Sequence, residues 1–308
     1  MTLRIGTRGS KLALAQANEI KAALERAHEG LRCEVVVLKT GGDDFTTRKT
    51  DGTVPLKGLF VKEIEEALLE NRIELAVHSV KDLQAELPVG LTLAGVLKRQ
   101  DPRDALVTTD GKGWKDLPMG TTIGVSSLRR QAQLMRLRRD LELVPIRGNV
   151  DTRLRKLDEG EVGALVLAAC GLIRLQLEGR ISQMLGPTEM VPALGQGALG
   201  IEIRQDHQEM VALVEKVSHS DSFLEVKAER AFLKALGGGC QVPVGGLARV
   251  QGEGLTLVGA VFSPDGLKAV RREIAGPKQA AERLGVELAS HVRAAGADRL
   301  LYGQWARQ

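Results

Sequence analysis

Over residues 3–79, short apolar runs alternate with longer amphipathic ones, and that alternation limits the possible folds more than any other feature. LRIG is followed by SKLALAQANEIKAALERA, CEVVVLK by GLFVKEIEEALLENR, and then comes ELAVHS. Period two marks strands, and a period of 3.6 marks helices with one apolar face. Strand and helix in this order predict a parallel sheet flanked by helices. A polar stretch from Thr40 to Lys57, with GGDD and TTRKTDGT, interrupts the rhythm. It is too long for a tight connection, which predicts a flap. A second unit starts near Asp104 with ALVT, TTIGV, a helix from Ser127, ELVPI, a helix from Val150 and ALVLAA. It repeats the first architecture without evident repetition of sequence. The crossings between the two units fall near KRQDPRDA and MVPALGQGALG. From about Ser222 the pattern changes. A helix over EVKAERAFLKAL leads to LTLVGAVFS and KAVRREIAG around an SPDG turn, and then to a helix from Pro277. That predicts a small antiparallel sheet with helices.

A chain of 308 residues suggests two or three domains, with ample core. Its 43% hydrophobic and 27% charged residues exclude a disordered chain, and no apolar run approaches the roughly 18 residues that cross a bilayer. The N-terminus, MTLRIGTRGSKLALAQ, reads as strand and helix with no h-region or cleavage site, which implies a cytoplasmic protein. Three cysteines, an odd number, form no disulfide framework and fit a reducing compartment. Cys33 in CEVVVLK and Cys170 at the end of ALVLAAC read as structural. The formal net charge is only +4, yet eight arginines fall between Arg129 and Arg155. Such density marks either a solvated helix face or an anionic partner. Nucleic acid is not the expected partner, because aromatics are 3% of the chain and no nucleic-acid motif is present. Small carboxylates or phosphates fit better.

Several motifs fall away on context. GQGALG, residues 195–200, has the G-x-G-x-x-G spacing but follows a proline-containing loop and leads into the strand-like LGIEIR, so it is no dinucleotide site. The five histidines show no paired spacing, and no metal is expected. In ELAVHSVKD, Lys81 and Asp82 come just past a strand's carboxyl end, where open α/β sheets present ligand-binding groups. Asp82 is there either to exchange protons or to pair with Lys81 on the surface. In GVSSLRRQ, Ser126 and Ser127 are natural N-caps, and Arg129 and Arg130 lie in the first helical turn against the dipole. Either an anion fills that site or the pair is solvated. TRGS repeats the arrangement with Arg8 and Ser10. Cys240, in LGGGCQVPVGG, sits among glycines that leave its sulfur approachable. Reactive thiol and small buried hydrophobe are both open there.

Taken together, RIGTRGSKLALAQ, KGLFVKEIEEALL, AVHSVKD, DPRDALV, GVSSLRRQAQL, IRGNVDTRLRKLD, LAACGLIRL, PALGQGALGIE, AERAFL and GGGCQVPVG resemble the porphobilinogen deaminase (hydroxymethylbilane synthase) family, in the family's order and from end to end. The resemblance implies an α/β fold with two periplasmic-binding-protein-like lobes around a cleft, plus a small α+β C-terminal domain with an antiparallel sheet. Domain 1 would be residues 1–98 and 197–217, domain 2 residues 103–192, and domain 3 residues 220–308. It implies the head-to-tail joining of four porphobilinogen molecules, each losing ammonia, by a monomer with no nucleic-acid or membrane partner. Cys240 matches the cysteine that carries a dipyrromethane cofactor through a thioether, and Asp82 the catalytic aspartate. Lys81, Asp82, Ser126, Ser127, Arg129, Arg130, Arg153 and Gly171 fall on cofactor-binding positions. Arg8, Ser10, Arg147, Arg174, Gln196 and Phe60 fall on substrate-binding ones. Two departures stand out: the segment before Lys57 is unlike the family pattern, and Val125 replaces a familiar threonine. A non-reacting binder of small carboxylates and a cysteine-dependent hydrolase are the competing classes. The absent export signal counts against the first, and the lack of a histidine near Cys240 in sequence against the second.

Overall fold

The computed structural model describes residues 2–38, 61–237 and 243–302, so the expected flap, Phe60 and Cys240 lie outside the described residues. The chain opens with β1 (Thr2–Thr7), α1 (Lys11–Ala27), β2 (Arg32–Val37), α2 (Lys62–Leu69), β3 (Leu75–Ser79) and β4 (Leu91–Val96). It continues through β5 (Asp104–Val107), β6 (Thr122–Val125), α3 (Leu128–Leu137), β7 (Glu142–Pro145), α4 (Val150–Asp158), β8 (Ala164–Ala168), α5 (Ala169–Arg174) and β9 (Gln183–Leu185). Then come β10 (Leu199–Arg204), α6 (Gln208–Glu215), α7 (Ser220–Ala235), β11 (Val244–Gln251), β12 (Gly254–Phe262), β13 (Ala269–Pro277), α8 (Ala281–Ala294) and α9 (Ala297–Tyr302). Two compact units divide the chain: Met1–Gln100 with Ala198–Phe223, and Asp101–Gly197 with Leu224–Gln308.

The first unit holds a five-stranded sheet of order β2-β1-β3-β10-β4, and the second a five-stranded sheet of order β7-β6-β8-β5-β9. The architecture therefore repeats, as the sequence predicts. Neither sheet is wholly parallel, which corrects the expectation. β10 runs antiparallel to β3 and β4, and β5 antiparallel to β8 and β9. Each opposed strand is the first after the chain crosses between units. Lacking a preceding helix in its own sheet, it is not bound to the right-handed parallel crossover.

Local chemistry explains the elements that carry the candidate residues. Ser10 caps α1 by accepting a hydrogen bond from the Ala13 N–H at 3.2 Å, and Ala13, Ala17, Ile20 and Leu24 form the buried stripe that meets the sheet. The stripe joins Leu3, Ile5, Leu75, Val77, Leu199 and Ile201 in one core. The opposite sheet face packs Ala76 against Ile64, Ala67 and Leu68 of α2.

The remainder of the second unit is a three-stranded antiparallel sheet of order β11-β12-β13, covered by α7 and α8, as expected for an α+β region. A methyl group at Gly285 would lie 2.3 Å from the Ala228 carbonyl oxygen, so this glycine is what lets α8 lie against α7. Within the unit the two sheets are tied together. The fully buried Glu229 accepts hydrogen bonds from the Gly195 and Ala248 N–H groups. Ala132 of α3 also packs with Val191, Ala260 and Phe262.

Candidate active site

In the first unit, β1 and β3 are parallel neighbours, with Ile5 opposite Leu75 and Gly6 opposite Ala76. Arg8 and Ser10 therefore leave the carboxyl end of one strand beside Lys81 and Asp82, which leave the carboxyl end of the next. A 3₁₀ turn over Val80–Asp82 follows β3. The Val80 N–H donates to the Ala198 carbonyl at 3.1 Å, and Gln16 Nε2 donates to Ser79 Oγ at 2.8 Å. The turn thus starts from a fixed base. Lys81 is half-buried and Asp82 exposed, an accessible carboxylate suited to proton exchange.

Sequence reading passed over a buried cluster on the far face of this sheet. His78, Glu202 of β10 and Glu65 of α2 are 7%, 0% and 5% exposed. Burial pushes the Glu65 carboxyl up to about 7; neighbouring Glu202 adds to the rise and His78 opposes it. Because the folded value lies above the unfolded one, the associated stability is complete below the ordinary carboxylate range and is lost as pH rises through about 7. Glu65→Gln, which keeps the neutral form, is therefore expected to raise Tm relative to the unaltered protein more at pH 8 than at pH 5. Equal differences at both pH values would refute the titration.

In the second unit the parallel neighbours β7, β6 and β8 bring their carboxyl ends to one edge. Ser126 through Arg130 follow β6, Arg147 through Arg153 follow β7, and Gly171 through Arg174 follow β8. Ser127 is the N-cap of α3, its Oγ accepting from the Arg130 N–H at 3.3 Å. Arg153 donates to Ser126 Oγ at 2.7 Å and to the Gly148 carbonyl at 2.8 Å. Arg174 donates to the Gly197 carbonyl at 3.0 Å, and Arg147 is exposed. Gly171 is buried in α5.

The dipole conflict at Arg129 and Arg130 has an internal answer. Both are only 5% exposed and both bind the fully buried Asp104. Arg129 Nη1 lies 2.7 Å from Asp104 Oδ2 and also donates to the Val191 carbonyl. Arg130 reaches Asp104 Oδ1 through Nη2 at 2.7 Å and Nε at 3.0 Å. Gln196 Nε2, also buried, donates to Asp104 Oδ1 at 3.0 Å and to the Pro102 carbonyl. Burial alone would push the Asp104 carboxyl up, but the two guanidiniums and the hydrogen bonds from Arg129 and Gln196 hold it well below the usual carboxylate range. Asp104 was not a sequence candidate. Its signal was a carboxylate opening the apolar strand DALV, a position that demands a partner.

This set of donors suits an acidic ligand group. Two guanidiniums share one carboxylate, leaving a surplus positive charge, and Arg129 Nε is buried with no hydrogen-bond partner among the described residues. Cys33 and Cys170 are both buried, in keeping with structural roles, and burial pushes the Cys33 thiol up.

Comparisons with known proteins point the same way. Residues 3–212 match the model described as porphobilinogen deaminase, dipyromethane cofactor binding domain, and residues 223–294 match the porphobilinogen deaminase C-terminal domain. A porphobilinogen deaminase of Syntrophobacter fumaroxidans is 48% identical over 302 residues, spanning 97% of this chain and 96% of that protein. Those of Syntrophotalea carbinolica and Geobacter sulfurreducens are 49% and 46% identical, spanning 97% and 99% of this chain and 95% and 96% of theirs. Among solved structures, a putative methionine-binding lipoprotein from Bacillus subtilis superposes with TM-score 0.44 at 15% identity, covering 72% of this chain and 92% of that one. That likeness is too loose to bear on chemistry. The two family matches and the near-full-length relatives establish that the chain belongs to the porphobilinogen deaminase family, hydroxymethylbilane-forming transferases of tetrapyrrole biosynthesis with a dipyrromethane cofactor.

Proposed function

We propose that Asp82 performs the proton transfers of porphobilinogen condensation and that the arginines at the β7-β6-β8 edge hold the acidic side chains of substrate and cofactor. The observation that carries this reading is the exposed Asp82 carboxylate on a turn fixed at the carboxyl end of β3. Loss of ammonia from an aminomethylpyrrole leaves an electron-poor carbon. A carboxylic acid beside it can pass its proton to the departing amine and, as the carboxylate so formed, oppose the positive charge. After the carbon–carbon bond forms, the same carboxylate can take up the proton displaced from the pyrrole.

The cofactor, when bound, supplies the pyrrole end to which each new unit is joined. Cys240 would attach it, and Ser126, Ser127, Arg129, Arg130, Arg153 and Gly171 would receive it. Arg8, Ser10, Arg147, Arg174, Gln196 and Phe60 would serve incoming substrate. Porphobilinogen carries two carboxylates, so each addition raises the demand for guanidinium groups. The protein works as a cytoplasmic monomer with a small-molecule substrate and no nucleic acid, a reading supported by the odd cysteine count and the few aromatics. Residues 1–98 with 197–217, 103–192 and 220–308 serve as its working domains.

Intact-mass measurement on denatured protein tests the attachment. The mass should exceed that of the sequence by two pyrrole units, the excess should map to the peptide containing Cys240, and Cys240→Ser should abolish it. Protein that is fully active without added mass would overturn the proposal. Arg147 is the cleanest test of carboxylate binding, because it is exposed whereas Arg129 is buried on Asp104. Arg147→Gln is expected to lower kcat/KM about 10- to 100-fold, the worth of one hydrogen bond to a charged group. Unchanged kcat/KM would remove Arg147 from the binding set.

A further inference from the structure

His78, Glu202 and Glu65 are three ionisable groups from three elements, all buried on one face of the first sheet. His78 Nε2 lies 2.9 Å from Glu202 Oε2, close enough to pair as ions, though the approach is off the hydrogen-bonding line. Among the described residues, both Glu202 carboxylate oxygens and Glu65 Oε1 accept no hydrogen bond. An interior rarely retains such a group without a use. Among the described residues, other charges near α2 are engaged elsewhere. Arg204 of β10 donates to the Leu68 and Ile73 carbonyls, Arg4 of β1 pairs with Glu74, and β4 contributes no charged residue. Among the described residues, His78 is the basic side chain that pairs with Glu202. With the Glu65 carboxyl pushed up to about 7, Glu65 carries less than a full negative charge near neutrality, so the cluster is not forced to hold two bare carboxylates.

His78 occupies the penultimate position of β3, opposite Gly200 of β10, and the chain turns directly afterwards into Lys81 and Asp82. We infer that His78 and Glu202 are positioning residues whose close contact clamps the end of β3 to β10 and so fixes where the Asp82 carboxylate stands. The clamp is diagonal, since Glu202 lies opposite Ala76, and it resists sliding of the strand end as well as separation. The inference rests on the reading of Asp82 as the reacting carboxylate. Displacing a reacting group by about 1 Å costs as much as 100-fold in rate, so a clamp remote from the substrate acts on kcat more than on KM.

Holoenzymes carrying Glu202→Gln, His78→Ala, His78→Gln and the Glu202→Gln/His78→Ala pair test it, assayed beside Asp82→Asn. Turnover is normalised to the cofactor-loaded fraction from intact mass. Glu202→Gln and His78→Ala should each lower kcat about 10- to 100-fold with KM within about threefold. His78→Gln, whose amide can still donate to Glu202, should recover most of the loss. The double variant should lose no more than the worse single one. Unchanged kcat in folded single variants, or a double loss equal to the product of the single losses, overturns the clamp. Full turnover by Asp82→Asn overturns the reading beneath it instead. If the variants do not fold, amide hydrogen exchange in the unaltered protein decides. Protection at Val80 and Leu83 matching that at Val77 supports the clamp, and exchange at loop rates overturns it.

Discussion

Asp82→Asn lowers kcat about 10²- to 10⁴-fold, the range for removing a positioned general acid–base group, and leaves the fold intact. The amide has nearly the shape of the carboxylate but can neither carry the proton nor oppose a developing cation. Because Asp82 is exposed, the change in stability should stay within about 0.5 kcal/mol. Single-turnover product formation and thermal unfolding measure the two quantities separately. Turnover equal to that of the unaltered enzyme would end the assignment. Asp82→Glu separates position from chemistry: the proton carrier remains but stands about one bond length too far forward, so an intermediate rate is expected.

Asp104→Ala is the substitution with the largest expected effect on stability. The Asp104 carboxylate is fully buried and receives Arg129, Arg130 and Gln196. Removing it strands two guanidinium charges in a dry interior, which costs about 3–5 kcal/mol. For a unit of this size that is a fall in Tm of roughly 10 °C. A fall of under about 2 °C would mean that water or another anion takes its place. The same geometry sets an acid limit. The folded carboxyl titrates below its unfolded value, so its contribution is complete above the ordinary carboxylate range and drains away as pH falls below about 4. This bears on function as well. Arg129 and Arg130 owe their orientation to Asp104, so Asp104→Ala should also lose cofactor, read as missing mass on Cys240.

Strand and helix existence was largely legible because the apolar period survives local noise: LRIG, ELAVHS, TTIGV and ALVLAA all became strands at the expected places. The strands that escaped notice had weak local signals. β11 contains two glycines in VGGLARVQ, β9 has only three residues, and β4 reads LTLAGV between turns, so each depends on neighbours for its pairing. Strand direction was not legible either. Nothing in LGIEIR or DALV distinguishes a parallel partner from an antiparallel one, and β10 and β5 took their direction from the route of the chain between units.

The candidate site divides along the same line. Placement of Asp82, Arg8 and Ser127 past strand ends followed from period and capping alone, because those signals act within a few residues, whereas Arg147 and Arg153 entered only through the family resemblance. What the arginines at 129 and 130 touch did not. A sequence shows two cations opposing a helix dipole, and only the packed chain brings Asp104, distant along the sequence, to lie 2.7 Å from each. Likewise Glu65, His78 and Glu202 look like ordinary polar residues of a helix and two strands until the sheet buries them together. Local order is decided by interactions between near neighbours, which the amino-acid string displays directly. Burial and long-range charge pairing arise only when distant segments exclude water from one another, and there the tertiary structure alone decides which groups remain to do chemistry.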